Sequence, residues 1–393
     1  MTVPAHIAMV GVPIISHVLP SLLLIRELVA RGHRVTYAND PFVAEHVESA
    51  GAEFVSVTST LPVVDNDWPT DPIAASRLFL DDAIQSLPQL RYAYDDPADL
   101  YLYDIGAYAA RALAESQGRS LLQLSPTFVA WEGFQEEVAD HMWKLPGADA
   151  YRKDFARWLI ECGATTTDVD AFSGPPSRTL ALIPRAMQPN ADRVDPDTVT
   201  FVGPCFDARA DSDSWARPEN SDRVLLISLG SAYTRQPEFY RQCVAAFGDL
   251  PGWHVVLQIG KYIDAKELGH LPPNIETYPW VPQRAILEQA DAFVTHAGMG
   301  SCSEGLYAGV PMIAVPQAAE QFMNADRLVE LGVAHRVDTA HATAESLRSA
   351  LIELMSDPAR ITRSQQLQGR ARAEGGTRRA ADLVEDMLLR IRR

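Results

Sequence analysis

The chain has 393 residues, enough for two domains of ordinary size. Hydrophobic residues make up 47% and charged residues 22%, a globular balance that excludes a disordered chain. A formal net charge of −17 argues against a nucleic-acid binder, which holds phosphates with clustered Lys and Arg.

The first Lys or Arg is Arg26, so no secretion signal is expected. No run approaches the roughly 20 apolar residues that cross a bilayer, so no membrane partner is expected. Cys162, Cys205, Cys243 and Cys302 lie far apart and match neither a zinc spacing nor a disulfide framework. A reducing, cytoplasmic setting follows.

In chain order, HIAMVG at 6–11 reads as a strand, and PSLLLIRELVARG at 20–32 follows with helical periodicity and a closing Gly. Pro20 is assigned to the helix's first turn, which leaves GVPIISHV as a loop. RVTYA at 34–38, DLYLYD at 99–104, SLLQLS at 120–125 and TLALIP at 179–184 continue as strands. Between them, 61–96 carries two Pro-bounded patches and an amphipathic helix near 73–86, either a pocket wall or a surface insert.

At 206–222 the pattern breaks into FDARADSDSWARPENSD, polar and Pro-containing, which reads as a linker. Strands restart with RVLLISLG at 223–230, WHVVLQIG at 253–260, AFVTH at 292–296 and MIAVPQ at 312–317. Residues 374–393 form a capped amphipathic helix. Apolar strands alternating with helices predict an α/β class of two doubly wound, Rossmann-like domains facing across a cleft. The expected boundaries are 1–205, the linker 206–222, 223–372, and a terminal helix over 373–393.

The most specific segment runs from Trp280 to Asn324, with THAGMGSCSEGL at its centre: a strand end, a Gly-containing turn and a helix start. Unpaired N–H groups and the helix dipole suit such a start to a phosphate or diphosphate. Gly298 and Gly300 let the backbone approach an anion, and His296 and Ser301 offer side-chain donors. A purely structural account also exists: Ser301 and Glu304 have the spacing of a capping box, which needs no ligand.

In order, Trp280, Pro282 and Gln283, then His296, Gly298, Ser301 and Glu304, then Glu320, Gln321 and Asn324 resemble the donor signature of the inverting family 1 glycosyltransferases. That resemblance implies a donor site of Ser231, Trp280, Val281, Gln283, His296, Gly298, Gly300, Ser301, Glu304, Glu320 and Gln321. Trp280 would stack on the nucleobase and Glu304 accept from the ribose hydroxyls. His296 and Ser301 would hold the diphosphate, Glu320 and Gln321 read the sugar, and Ser231 in SLGS (228–231) face the donor. Trp280 as core and Ser231 as a turn residue is the plainer alternative.

Transfer to an alcohol needs a base, and His suits it near neutral pH. His17 follows the first strand, and Asp104 ends DLYLYD; if those strands are neighbours, the carboxylate can meet the ring nitrogen turned away from the acceptor. A lone His beside a strand and an Asp capping a helix are the plainer readings. Trp68, Phe79, Thr127, Phe128, Trp131 and Tyr233 are candidate acceptor contacts, or core aromatics.

HIAM, RELVARGHRVTYA (26–38), LSPTFVAWEGFQEEV (124–138), FVGP (201–204) and EGGTRRAADLVE (374–385) resemble bacterial macrolide glycosyltransferases. The resemblance implies a GT-B fold, His17 as base with Asp104 as its partner, and inverting transfer from UDP-glucose to a macrolide or similar apolar acceptor. It implies no metal and no cofactor beyond the nucleotide sugar, and is compatible with a homodimer. The Ile14-Ile15-Ser16-His17 stretch departs from the family's Gly- and His-rich loop, and Leu19 replaces its Asn, which bears on acceptor range. A TDP-deoxysugar transferase, a phenolic glucosyltransferase and a non-catalytic nucleotide-sugar binder are the rival readings. A dinucleotide dehydrogenase is disfavoured, since GVPIISH is no G-x-G-x-x-G turn.

Overall fold

The computed structural model describes residues 4–391 apart from 66, 207–214, 220, 232 and 319. Of the linker read at 206–222, residues 207–214 and 220 lie outside the described residues. The chain divides into two compact units, Met1–Ile183 with Asn190–Phe206 and Gly375–Arg393, and Pro184–Pro189 with Asp207–Glu374.

Unit 1 holds a parallel sheet of β1 (His6–Val10), β2 (Arg34–Asn39), β3 (Glu53–Ser56), β4 (Leu100–Asp104), β5 (Leu121–Ser125), β6 (Thr179–Ala181) and β7 (Val199–Phe201). Its order is β3-β2-β1-β4-β5-β6-β7. The helices are α1 (Ile15–Ala30), α2 (Ala44–Ser49), α3 (Pro72–Ala93), α4 (Tyr108–Ser116), α5 (Asp140–Met142), α6 (Ala148–Glu161) and α7 (Val169–Ser173). Alternation along β1 splits the core: Ala8 and Val10 pack with Leu80 and Leu87 of α3, while Ile7 and Met9 pack with Leu24 and Leu28 of α1.

Unit 2 repeats the plan with β8 (Arg223–Ser228), β9 (Trp253–Gln258), β10 (Ile275–Tyr278), β11 (Ala292–Thr295), β12 (Met312–Ala314) and β13 (Ala334–Arg336). The order is β10-β9-β8-β11-β12-β13, again parallel. Its helices are α8 (Pro237–Phe247), α9 (Gln283–Leu287), α10 (Met299–Ala308), α11 (Glu320–Glu330), α12 (Ala344–Ser356) and α13 (Pro358–Ala373).

The chain then returns to unit 1 as α14 (Gly376–Ile391). Ala380, Val384 and Leu388, one helical turn apart, are buried in the cluster that holds Leu24 and Leu28 of α1. Beside that seam Arg31 donates to Asp382 at 2.7 Å, Glu385 at 2.6 Å and Glu27 at 2.9 Å. Replacing Arg31 with Ala leaves Glu385, only 15% exposed, without its strongest partner. The expected loss is about 2 kcal/mol of unit-1 stability, read as a lowered urea midpoint. An unchanged midpoint would show the network to be ornamental.

Two local expectations are corrected. Helix α1 begins at Ile15 rather than at Pro20, so His17 lies in its first turn and not in a preceding loop. Pro20 falls inside the helix, at the cost of one backbone hydrogen bond, while Val18, Ser21, Leu24, Ile25 and Leu28 stay buried on one face. The helix near 73–86 runs on to Ala93, capped at its start by the Asp71 carboxylate accepting from Ala74 N–H.

Candidate active site

In each sheet the strand order reverses once, and the carboxyl ends at that switch leave an open crevice for ligands. In unit 1 the switch lies between β1 and β4, which pair Val10 with Tyr103. His17 comes from the helix that follows β1, and Asp104 is the last residue of β4. The ring nitrogen Nδ1 of His17 lies 3.1 and 3.0 Å from the two Asp104 carboxylate oxygens. An ionised carboxylate only accepts, so Nδ1 carries the proton and Nε2 the lone pair.

Asp104 is 2% exposed, against 23% for the His17 side chain, so the pair presents an imidazole backed by a buried carboxylate. The Gly106 N–H donates to Asp104 Oδ1 at 2.8 Å and fixes its orientation. A Cβ at Gly106 would sit 3.2 Å from both that oxygen and the ring of Phe79. Gly106 therefore belongs to the site, although the sequence drew attention only to its neighbour Asp104.

In unit 2 the switch lies between β8 and β11, where Ser228 and Thr295 are paired. The loop after β8 carries Ser231, and the turn after β11 carries His296, Ala297 and Gly298 into α10. Gly298 is the N-cap of α10, with no side-chain cap. Ser301 is thus the third residue of the helix rather than its cap, and the capping-box reading is overturned. Gln283 at the start of α9 instead reaches both residues, donating to Ser301 Oγ at 3.2 Å and to the Glu304 carboxylate. The first N–H groups of α10 are left for an anion.

The His296 ring is wedged between two glycines. A Cβ at Gly230 would lie 2.6 Å from its Cε1, and one at Gly298 would overlap Nε2. Gly298 thus makes room for the imidazole, beside the approach of an anion expected of it. A Cβ at Gly300 would meet nothing within 4 Å beyond its own turn of helix. Burial pushes His296 down to about 4, with the Ser228 backbone pulling weakly the other way, so the ring is neutral at pH 7. Its Nδ1 is buried without a hydrogen-bond partner.

Ala297 adopts a left-handed φ of 60° although it is not Gly. Thr295 Oγ1 accepts from its N–H at 3.1 Å, and Asn324 Nδ2 donates to its carbonyl at 2.9 Å. These bonds hold a strained turn in place. The resemblance had placed Asn324 in the signature without giving it this work.

Trp280 follows β10 and is 65% exposed, while Val281 beside it is 2% exposed and turned into the core. Gln321 is buried, and its side-chain carbonyl accepts from Gln317 N–H at 2.9 Å, which leaves its amide N–H₂ for a ligand. Glu320 begins α11, and Tyr233 lies near both it and His296, 6.3 Å between ring centroids. Tyr233 thus keeps company with donor candidates in unit 2. In unit 1, Trp68 stacks on Phe79 at 6.0 Å, next to Asp104. Thr127, Phe128 and Trp131 follow β5; Trp131 packs edge-on to Phe134 and donates to Glu137.

A family model described as UDP-glucoronosyl and UDP-glucosyl transferase matches residues 184–365. The oleandomycin glycosyltransferase of Streptomyces antibioticus is 53% identical over 392 residues, 98% of this chain and 91% of that protein. The chain belongs to the UDP-glycosyltransferase family. An NDP-glycosyltransferase of Bacillus subtilis is 32% identical, covering 97% of this chain and 96% of its own. The crystal structure of the glycotransferase of kitacinnamycin is 51% identical with a TM-score of 0.90, covering 98% of this chain and 99% of that one. The calicheamicin glycosyltransferase follows at 33% and 0.88, with 99% of each chain covered. This glycosyltransferase has the GT-B fold class expected from its sequence, two parallel-sheet Rossmann-like units. Among the described residues no helix is long and apolar enough to cross a membrane.

Proposed function

We propose that the enzyme transfers glucose from UDP-glucose, with inversion, to a hydroxyl of a macrolide or similarly apolar natural product. The observation that carries this reading is the His17–Asp104 pair at the unit-1 switch point. The identity to an oleandomycin glycosyltransferase favours a macrolide-sized acceptor.

In the proposed reaction His17 Nε2 takes the acceptor's hydroxyl proton as its oxygen attacks the anomeric carbon. The bond from that carbon to the β-phosphate oxygen breaks, and UDP leaves with the electron pair. An α-linked donor gives a β-glycoside. Asp104 stabilises the imidazolium that forms. The N–H groups that open α10 meet the charge developing on the leaving diphosphate. The reading includes no metal ion. Trp280 is the nucleobase platform and Glu304 the ribose acceptor, held in place by Gln283.

A TDP-deoxysugar donor is the second reading, supported by 31% identity over 98% of this chain to the demethyllactenocin mycarosyltransferase of Streptomyces fradiae. A mass-spectrometric acceptor screen with UDP-glucose and TDP-sugars, over macrolides and flat phenolics, decides between them. The expected product is a macrolide heavier by one hexosyl residue. Product only from TDP-deoxysugars, or only on phenolics, would overturn the donor or the acceptor assignment respectively.

A further inference from the structure

Two cations at the carboxyl edge of the unit-2 sheet have no part in the site described so far. Arg235 lies on the segment after β8, and Lys261 and Tyr262 on the segment after β9. The two segments touch, because a Cβ at Gly260, whose φ is +75°, would overlap the Thr234 side chain. Arg235 Cζ stands 4.1 Å and Lys261 Nζ 5.1 Å from the Tyr262 ring centroid. Hydrogen bonding from Lys261, joined by the charges of both cations, holds the Tyr262 hydroxyl below its usual range. Arg217, Arg241 and Arg336 of the same unit each pair with a carboxylate, whereas Arg235 and Lys261 face a neutral ring and are exposed.

In the sheet order β9 lies between β10, which leads to Trp280, and β8, which leads to Ser231. The cationic pair thus stands along the line from the base platform to the diphosphate loop. A chain of net charge −17 repels a nucleotide diphosphate at long range. A local cationic patch reverses that field where the ligand must arrive.

We propose that Arg235 and Lys261 form a cationic approach site that draws in and retains the diphosphate of the donor. This rests on the nucleotide-sugar reading of unit 2. The contribution is one of charge, made through space, and not of a particular hydrogen bond.

The test compares UDP with uridine, which share base and ribose and differ in charge. In the Arg235→Gln, Lys261→Gln double variant, UDP affinity by calorimetry falls roughly tenfold at low ionic strength. The deficit shrinks toward 0.5 M salt, a concentration of about 4 Å Debye length. Uridine affinity stays as in the unaltered enzyme. The charge-keeping Arg235→Lys, Lys261→Arg variant binds UDP normally. Equal losses for UDP and uridine would make the pair a structural brace, and no loss for UDP would remove it from binding; either overturns the proposal. If the unaltered enzyme binds TDP and not UDP, the donor assignment fails instead, and the charge comparison is read on TDP against thymidine.

Discussion

Replacing His17 with Ala lowers turnover by about 10²–10⁴-fold, while UDP binds within about twofold of the unaltered enzyme. The split follows from position: the His17 ring belongs to unit 1, and the groups read as holding the nucleotide belong to unit 2. Asp104→Asn separates orientation from charge. Asn keeps the shape but presents an amide that can donate to Nδ1, which favours the wrong tautomer and leaves a forming imidazolium unpaired. Its expected loss is about 10²-fold or more, without change in UDP affinity. Steady-state rates with saturating donor, together with UDP titrations, check both variants. Turnover by His17→Ala near the unaltered rate would remove His17 as the base, whatever the effect of Asp104→Asn.

Gly298→Ala is the second large effect, acting through His296. The new methyl group overlaps Nε2 of a ring already closed in by Gly230. Either the ring leaves or the start of α10 moves, and an ångström-scale misplacement of binding groups costs about 10²-fold in catalytic efficiency. Gly230→Ala meets the same ring and adds a left-handed φ of 72°, an extra cost of about 1 kcal/mol. Removing the ring should relieve the clash. The His296→Ala, Gly298→Ala double variant is therefore expected to unfold at a higher temperature than additivity of the single variants allows. Gly300→Ala meets nothing beyond its own turn of helix, so it folds normally, and any loss of UDP affinity reports the approach of the anion itself. Additive unfolding effects at positions 296 and 298 would show that the contact carries no strain.

The same ring gives a pH dependence. Its folded-state value of about 4 lies below the ordinary 6.5, so the stability tied to neutral His296 is present above pH 6.5. It is lost as pH falls toward 4, because the unfolded chain takes up a proton that the folded chain refuses.

Much of the fold was legible because strands buried on both faces read as unbroken apolar runs, as RVLLISLG and DLYLYD do. The four strands not assigned, β3, β7, β10 and β13, are short, and none is wholly buried. β7 has only three residues. Pro20 displaced the start of α1 because its preference for a first turn is stronger in sequence than the burial pattern that overrides it. Ser301 and Glu304 have capping-box spacing, but helix register is set by backbone turn geometry, and Gly298 takes the cap. The left-handed residue of that turn is Ala297 rather than a Gly, because Thr295 beside it and Asn324, distant in sequence, hold it there.

His17 and Asp104 were each readable as strand-end residues. Their meeting was not, because adjacency of β1 and β4 depends on how the intervening chain crosses over. His296 posed a similar difficulty. The sequence marked it as a ligand donor, yet its need for two flanking glycines appears only when the β8 and β11 turns are side by side.

The return of α14 to unit 1 also sets an order of assembly. During synthesis most of the first unit emerges early, but the helix that covers α1 follows the whole of the second unit. Until then Leu24 and Leu28 lack part of their cover, and Arg31 lacks Asp382 and Glu385. The second unit, whose strands and helices are complete by Glu374, can close before the first is finished. A chain stopped or clipped before α14 would therefore retain every strand and helix of its second unit while exposing the α1 face of its first.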